Sequence, residues 1–216
     1  MYKKGFTLSE TLITLGIIGV VAAITLPSVI SDIKGRKLKA QLERSYSILA
    51  QGLSKTQEEM GGYTINYNST HGSTTFKNTL IKQFANAYDC STSETRTCLS
   101  NNTRPTEYKT YTGKELFTYR FDDGNFILQD GTFVIIENGD NRLELTVDVN
   151  GKDKKPNRWG HDLFTFQIMD NGKLVPMGAE GTRSSLCDNK SSSSENGVGC
   201  TYMALTDKDY WRKLPN

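Results

Sequence analysis

The 216-residue chain predicts an α+β fold, a long N-terminal helix packed on an antiparallel β-sheet head. Three observations predict it. An uncharged, mostly apolar run covers residues 11–31. Leu38, Leu42, Tyr46, Leu49 and Leu53 then recur every three to four residues, the spacing of one helix face. Beyond residue 116 the apolar residues recur every second position instead, separated by turn dipeptides.

The elements follow in order. About 20 apolar residues at 1.5 Å rise match the ~30 Å hydrocarbon core, so 6–31 reads as a transmembrane helix. Glu10 sits at its mouth, where an ionisable group is costly and needs a partner. Gly16 and Gly19 lie three apart, which permits close helix approach. Pro27 removes one backbone hydrogen bond and marks a helix kink. Residues 32–60 continue as an amphipathic helix until Gly61-Gly62, a stop signal. The whole helix would measure about 80 Å.

Residues 61–216 form the head. The polar 63–73 segment reads as loop. Phe76, Leu80, Ile81, Phe84 and Tyr88 suggest a short helix capped by Ser73 or Thr74. Residues 89–113 read as irregular. Strands are expected where Phe117, Tyr119 and Phe121 alternate with Thr118 and Arg120, and at 126–129 and 132–136 around the tight turn Asp130-Gly131. Two more are expected at Leu143, Leu145, Val147 and Val149, and at Phe164, Phe166 and Ile168. Four or five sequential strands with short turns make a meander with one apolar face for the Leu38–Leu53 stripe. Residues 178–200 read as a Gly/Ser-rich loop with a flexible tip at 191–194.

The N-terminus carries a family resemblance. A basic leader, Met1-Tyr2-Lys3-Lys4-Gly5, precedes Phe6, Thr7, Leu8 and Glu10, and Gly19, Ala22, Ala23, Ile24 and Pro27 follow in order. This resembles the N-terminal methylation motif of type IV pilins and type II secretion pseudopilins. The resemblance implies removal of leader 1–5 between Gly5 and Phe6 by a membrane-embedded prepilin peptidase, and N-methylation of Phe6. It also implies polymerisation with identical or related subunits by an inner-membrane assembly platform. The new Phe6 amine is then the partner of Glu10, on the same chain or a neighbour. An ordinary signal peptide has a shorter apolar region and no acidic residue at its start. Counting Lys3 and Lys4 against Lys34, Arg36, Lys37 and Lys39 favours the opposite membrane orientation. The motif is the more specific signal, and it places the head outside the cytoplasm, in a periplasmic or cell-surface filament.

An exported head lies where disulfides persist. Four cysteines allow three pairings. The local one, Cys90–Cys98 with Cys187–Cys200, closes two short polar loops. Neither spacing suits zinc, with only His71 and His161 to complete a set. Beyond residue 60 stand 18 basic and 19 acidic residues, which gives no case for nucleic acid. The basic cluster 34–39 suits lipid headgroups of the bilayer.

Asp148, Asn150 and Asp153, around Gly151, are a candidate Ca²⁺ set, with Asn157 or Asp162 available to complete it. The competing reading is a side-chain-stabilised turn between strands, which Lys152, Lys154 and Lys155 favour. No firm cofactor is indicated. No nucleophile elbow, phosphate loop or zinc-protease motif occurs, so an enzyme is not expected. The function expected is a pseudopilin of a type II secretion-like pseudopilus. A major or minor type IV pilin is the alternative, and a membrane-tethered binding module a further one.

Overall fold

The computed structural model describes residue 5 and residues 7–61, 72–90, 98–99, 105–116, 120–139 and 142–215. Helix α1, Leu8–Glu59, is 52 residues long, about 78 Å, and continues through Pro27. Its two halves differ in surroundings. From Leu8 to Ile33 the large apolar side chains are exposed. From Gly35 onward one face is buried, through Gly35, Leu42, Ser45, Leu49, Gly52, Leu53, Thr56 and Gln57.

Helix α2, Gly72–Lys82, precedes a six-stranded sheet. Its strands are β1 Tyr88–Asp89, β2 Gly124–Ile127, β3 Phe133–Gly139, β4 Arg142–Asp148, β5 Leu163–Ile168 and β6 Leu174–Pro176. All neighbours pair antiparallel in chain order, as a meander. Helix α3, Cys200–Thr206, and a closing 3-10 turn, Tyr210–Arg212, complete the head. The β2–β3 connection is tight: the Leu128 amide donates to Thr132 O at 2.9 Å, and Gly131 adopts φ +88°, which suits glycine.

Strand register sorts the sheet into two faces. Val134, Ile136, Leu145, Val147, Phe164 and Phe166 share one face and pack with Leu42, Leu49 and Leu53 of α1. Tyr46 stacks on Phe166 with centroids 5.1 Å apart, and its hydroxyl donates to Leu174 O. Gly52 makes room on α1 for Phe84, just past α2, because a Cβ there would stand 2.3 Å from the Phe84 ring. The opposite face carries Glu144, Thr146, Asp148, Thr165 and Gln167, whose alternation suggests a wet surface. All five are nevertheless buried. A layer of irregular chain covers them, built on Tyr108, Leu116, Phe121, Trp159, Met177 and Val198. Their polar atoms are satisfied within it. Thr146 and Thr165 share a hydrogen bond, and Glu144 is held by Arg120 and by Arg183 at 3.2 Å.

Several expectations are corrected. Arg120 and Phe121 lie in a turn and not in a strand. Arg120 is drawn down to Glu144, and Phe121 stacks between Tyr108 and Trp159 as part of the covering layer. Phe117 and Tyr119 lie outside the described residues, as do 63–70 and His71. Helix α2 starts at Gly72, so Ser73 and Thr74 fall inside its first turn and do not precede it as caps. It ends before Phe84 and Tyr88, because Asn86 turns the chain with φ +54° and Tyr88 pairs with Ile127 as a strand. Val149 lies just past β4. The serine tip is tied down: Ser191 O accepts from the Thr112 hydroxyl at 3.1 Å and from Asn196 Nδ2 at 3.0 Å. Disulfides join Cys90 to Cys98 and Cys187 to Cys200.

Candidate functional site

The N-terminal end of α1 is organised around two side chains. Thr7 is the N-cap, in extended conformation, and its hydroxyl accepts the Glu10 amide at 3.2 Å. In return the Glu10 carboxylate accepts the Thr7 amide at 2.8 Å and the Thr7 hydroxyl at 2.7 Å. This capping box satisfies donors that a helix start leaves orphaned, and a carboxylate there complements the helix dipole. Thr7, named in the sequence only as part of the motif, is here the cap that holds Glu10. The Thr-x-x-Glu spacing of residues 7–10 was the signal for it. Gly5 is exposed and outside the helix, while Phe6 lies outside the described residues.

The surface above this start is bare. Leu8, Leu12, Ile13, Leu15, Ile17, Ile18, Val20 and Val21 are all more than half exposed. Gly16 and Gly19 have open space where a Cβ would stand. The helix is long and apolar enough to cross a membrane, and none of its apolar window is covered by the rest of the chain. Such a surface needs lipid or other helices against it.

The Ca²⁺ set meets different surroundings. Asp148 is fully buried. Its Oδ1 accepts the amides of Asn150 at 3.3 Å and Gly151 at 3.0 Å, and its Oδ2 accepts the Tyr108 hydroxyl at 2.9 Å. Asp153 instead places an 86 % exposed side chain against Lys152. Asn150 Nδ2 donates to Lys154 O at 3.3 Å and Lys155 O at 3.4 Å. One sealed carboxylate and one solvent-facing carboxylate do not share a shell, so Asp148, Asn150 and Asp153 do not fit a single Ca²⁺. Asp162 forms a second anchor, accepting the amides of Asn157 at 2.8 Å and Arg158 at 2.7 Å. Two buried carboxylates thus tie the β4–β5 connection to itself and to Tyr108, as side-chain-stabilised turns. Burial pushes the Asp148 carboxyl up, and the nearby Asp162 charge pushes the same way.

A third acidic group escaped the sequence. Asp122, Asp123 and Glu137 bring carboxylate oxygens within 4.8 Å of one another. Asp123 Oδ2 accepts the Asn138 amide. Burial, then Asp123 and Asp122, push the Glu137 carboxyl up to about 8, so it holds a proton at neutral pH and relieves the crowding. Residues fifteen apart give no local pattern, and only the fold joins them.

Residues 1–26 match the family model described as the prokaryotic N-terminal methylation motif, the prepilin-type motif of type IV pilins and pseudopilins. No curated protein and no solved structure matches the chain. The motif indicates a structural, pilin-type protein, and with the apolar helix it fits a membrane-anchored one. It implies processing by a prepilin peptidase and polymerisation.

Proposed function

We propose that this chain is a pseudopilin, the structural subunit of a type II secretion-like pseudopilus. It enters the inner membrane as a prepilin, is cut between Gly5 and Phe6, is methylated on Phe6 and polymerises through α1. The observation that carries this reading is a bare apolar helix with one carboxylate, Glu10, one turn from the cut. In a lipid or helix-packed setting a lone carboxylate is expensive, and an adjacent subunit's Phe6 amine relieves it. Pairing of the two then rewards one axial register over others. Pro27 is the point at which the helix bends between filament core and head. The assignment to a pseudopilus over a type IV pilus rests on the segment 148–166, which resembles heads of the former.

Mass spectrometry of the protein from its native membrane tests the reading. The expected N-terminus is N-methyl-Phe6. Retention of the first five residues overturns it and leaves a membrane-tethered module. Neighbouring genes for a secretin and a secretion ATPase support the pseudopilus, and genes for pilus retraction overturn that part alone.

A further inference from the structure

Among the described residues, the C-terminal segment meets α1 where its apolar run ends. Trp211 lies against Gly35 so closely that a Cβ there would stand 3.1 Å from Trp211 Cβ and 3.3 Å from its carbonyl oxygen. The indole is fixed by a 2.9 Å hydrogen bond to Ala204 O and by the Phe164 ring. Beside this contact opens a cleft of about 430 Å³, lined by Ser28, Val29, Ser31, Asp32, Trp211 and Arg212.

Geometry sets the height of the cleft. From Glu10 to Ile30 the helix rises about 30 Å, one hydrocarbon thickness. The cleft therefore opens where the apolar run ends, level with the phosphates of the head-side leaflet. Tryptophan is enriched at that level. The two segments that form the cleft carry six exposed cations: Lys34, Arg36 and Lys37 on α1, and Lys208, Arg212 and Lys213 on the C-terminal segment, of which Arg212 lines the cleft. The same two segments carry three carboxylates. Asp32 is shared by Arg36 and by Arg212 at 3.6 Å, and Asp209 by Arg212 at 3.8 Å and Lys213 at 3.7 Å. Asp207 is the third, and the surface stays positive.

We propose that this collar and its cleft dock on anionic phospholipid headgroups and hold the head against the bilayer before the helix enters a filament. This rests on α1 being the membrane anchor. The Arg212 guanidinium offers a planar fork for phosphate, and the lysines add attraction to the charged surface. Each basic residue near such a surface strengthens attachment roughly fivefold.

The full chain in lipid nanodiscs tests this, with discs of phosphatidylcholine alone compared with discs that also contain phosphatidylglycerol. The readout is trypsin cleavage after Lys208, Arg212 and Lys213. Cleavage after Lys173 is the control, because the adjoining Gly172 is bonded to Gln57 at the far end of α1. At low salt the anionic discs should slow cleavage at the three sites at least tenfold, reversibly with added salt, and leave Lys173 unchanged. R212Q combined with K213Q should reduce the protection of Lys208 on the order of tenfold while the chain stays in the disc. Equal cleavage in both discs overturns the proposal. So does protection that grows with protein per disc regardless of lipid charge, which assigns the collar to a second copy. A chain that leaves the disc overturns the anchor itself, and is recognised as free protein on size exclusion.

Discussion

Glu10 meets two demands in turn. In the uncleaved chain its carboxylate is already bonded to the Thr7 amide and hydroxyl. In the proposed reading, cleavage creates a cationic competitor at Phe6. Glu10→Ala should insert and be processed, yet be depleted from sheared filaments. Glu10→Gln separates the two roles, because an amide oxygen can still accept from Thr7 but carries no charge. If the ion pair sets the register, Glu10→Gln assembles as poorly as Glu10→Ala; recovery in the shear fraction would assign the role to capping. Glu137 makes a second residue-scale prediction. Its carboxyl titrates near 8 in the fold against 4.5 unfolded, so its contribution is complete below about pH 4.5 and lost as pH rises through 8. His161 is pushed down to about 4, by burial and then Arg158, so its contribution is present above 6.5 and lost as pH falls toward 4. Between pH 6.5 and 8 the His161 contribution is constant, and Glu137 acts together with Asp148, whose carboxyl burial and then Asp162 also push up. The melting temperature should fall across that interval, and Glu137→Gln should lessen the fall while leaving the Asp148 part in place.

At the scale of elements, contact between α1 and the rest of the head depends on absent side chains as much as on present ones. Gly52→Ala gains helix propensity of about 1 kcal/mol, but its methyl would overlap the Phe84 ring. Net destabilisation of roughly 1–3 kcal/mol is expected, read by denaturant unfolding. The β4–β5 connection makes the converse case. Asp148→Ala strands the amides of Asn150 and Gly151 and the Tyr108 hydroxyl, at a cost of about 2–4 kcal/mol. Asp148→Asn keeps an acceptor for the turn and should cost much less. A chelator should leave the melting temperature unchanged, and a drop on EDTA treatment would restore the cation reading.

For the whole molecule, what the sequence revealed tracks the range of the interactions. Helix α1 and strands β3 to β5 announce themselves because each is long enough for its period to repeat. The β2–β3 turn is visible in two residues, Asp130 and Gly131. Strands β1 and β6 have two and three residues, too few for any period, and exist because the sheet edge offers partners. The polar face of the sheet is the most instructive. Nothing nearby in sequence pairs with Glu144 or reveals that Asp148 is buried, and their partners Arg120 and Tyr108 arrive from 24 and 40 residues away. The same limit explains the Ca²⁺ set: spacing reports which oxygens are near in sequence, not which way they turn. The processing motif was legible because it is local.

Gly5→Ala should accumulate as an unprocessed band on immunoblots of whole cells. The capped start of α1 fits the cut proposed between Gly5 and Phe6. Proteases bind their substrates stretched out, and a hydrogen-bonded coil must first be unwound to enter such a groove. Thr7 halts the coil two residues beyond Gly5, so the chain itself acts as a ruler. In the proposed reaction it withholds every bond beyond Thr7 from the peptidase.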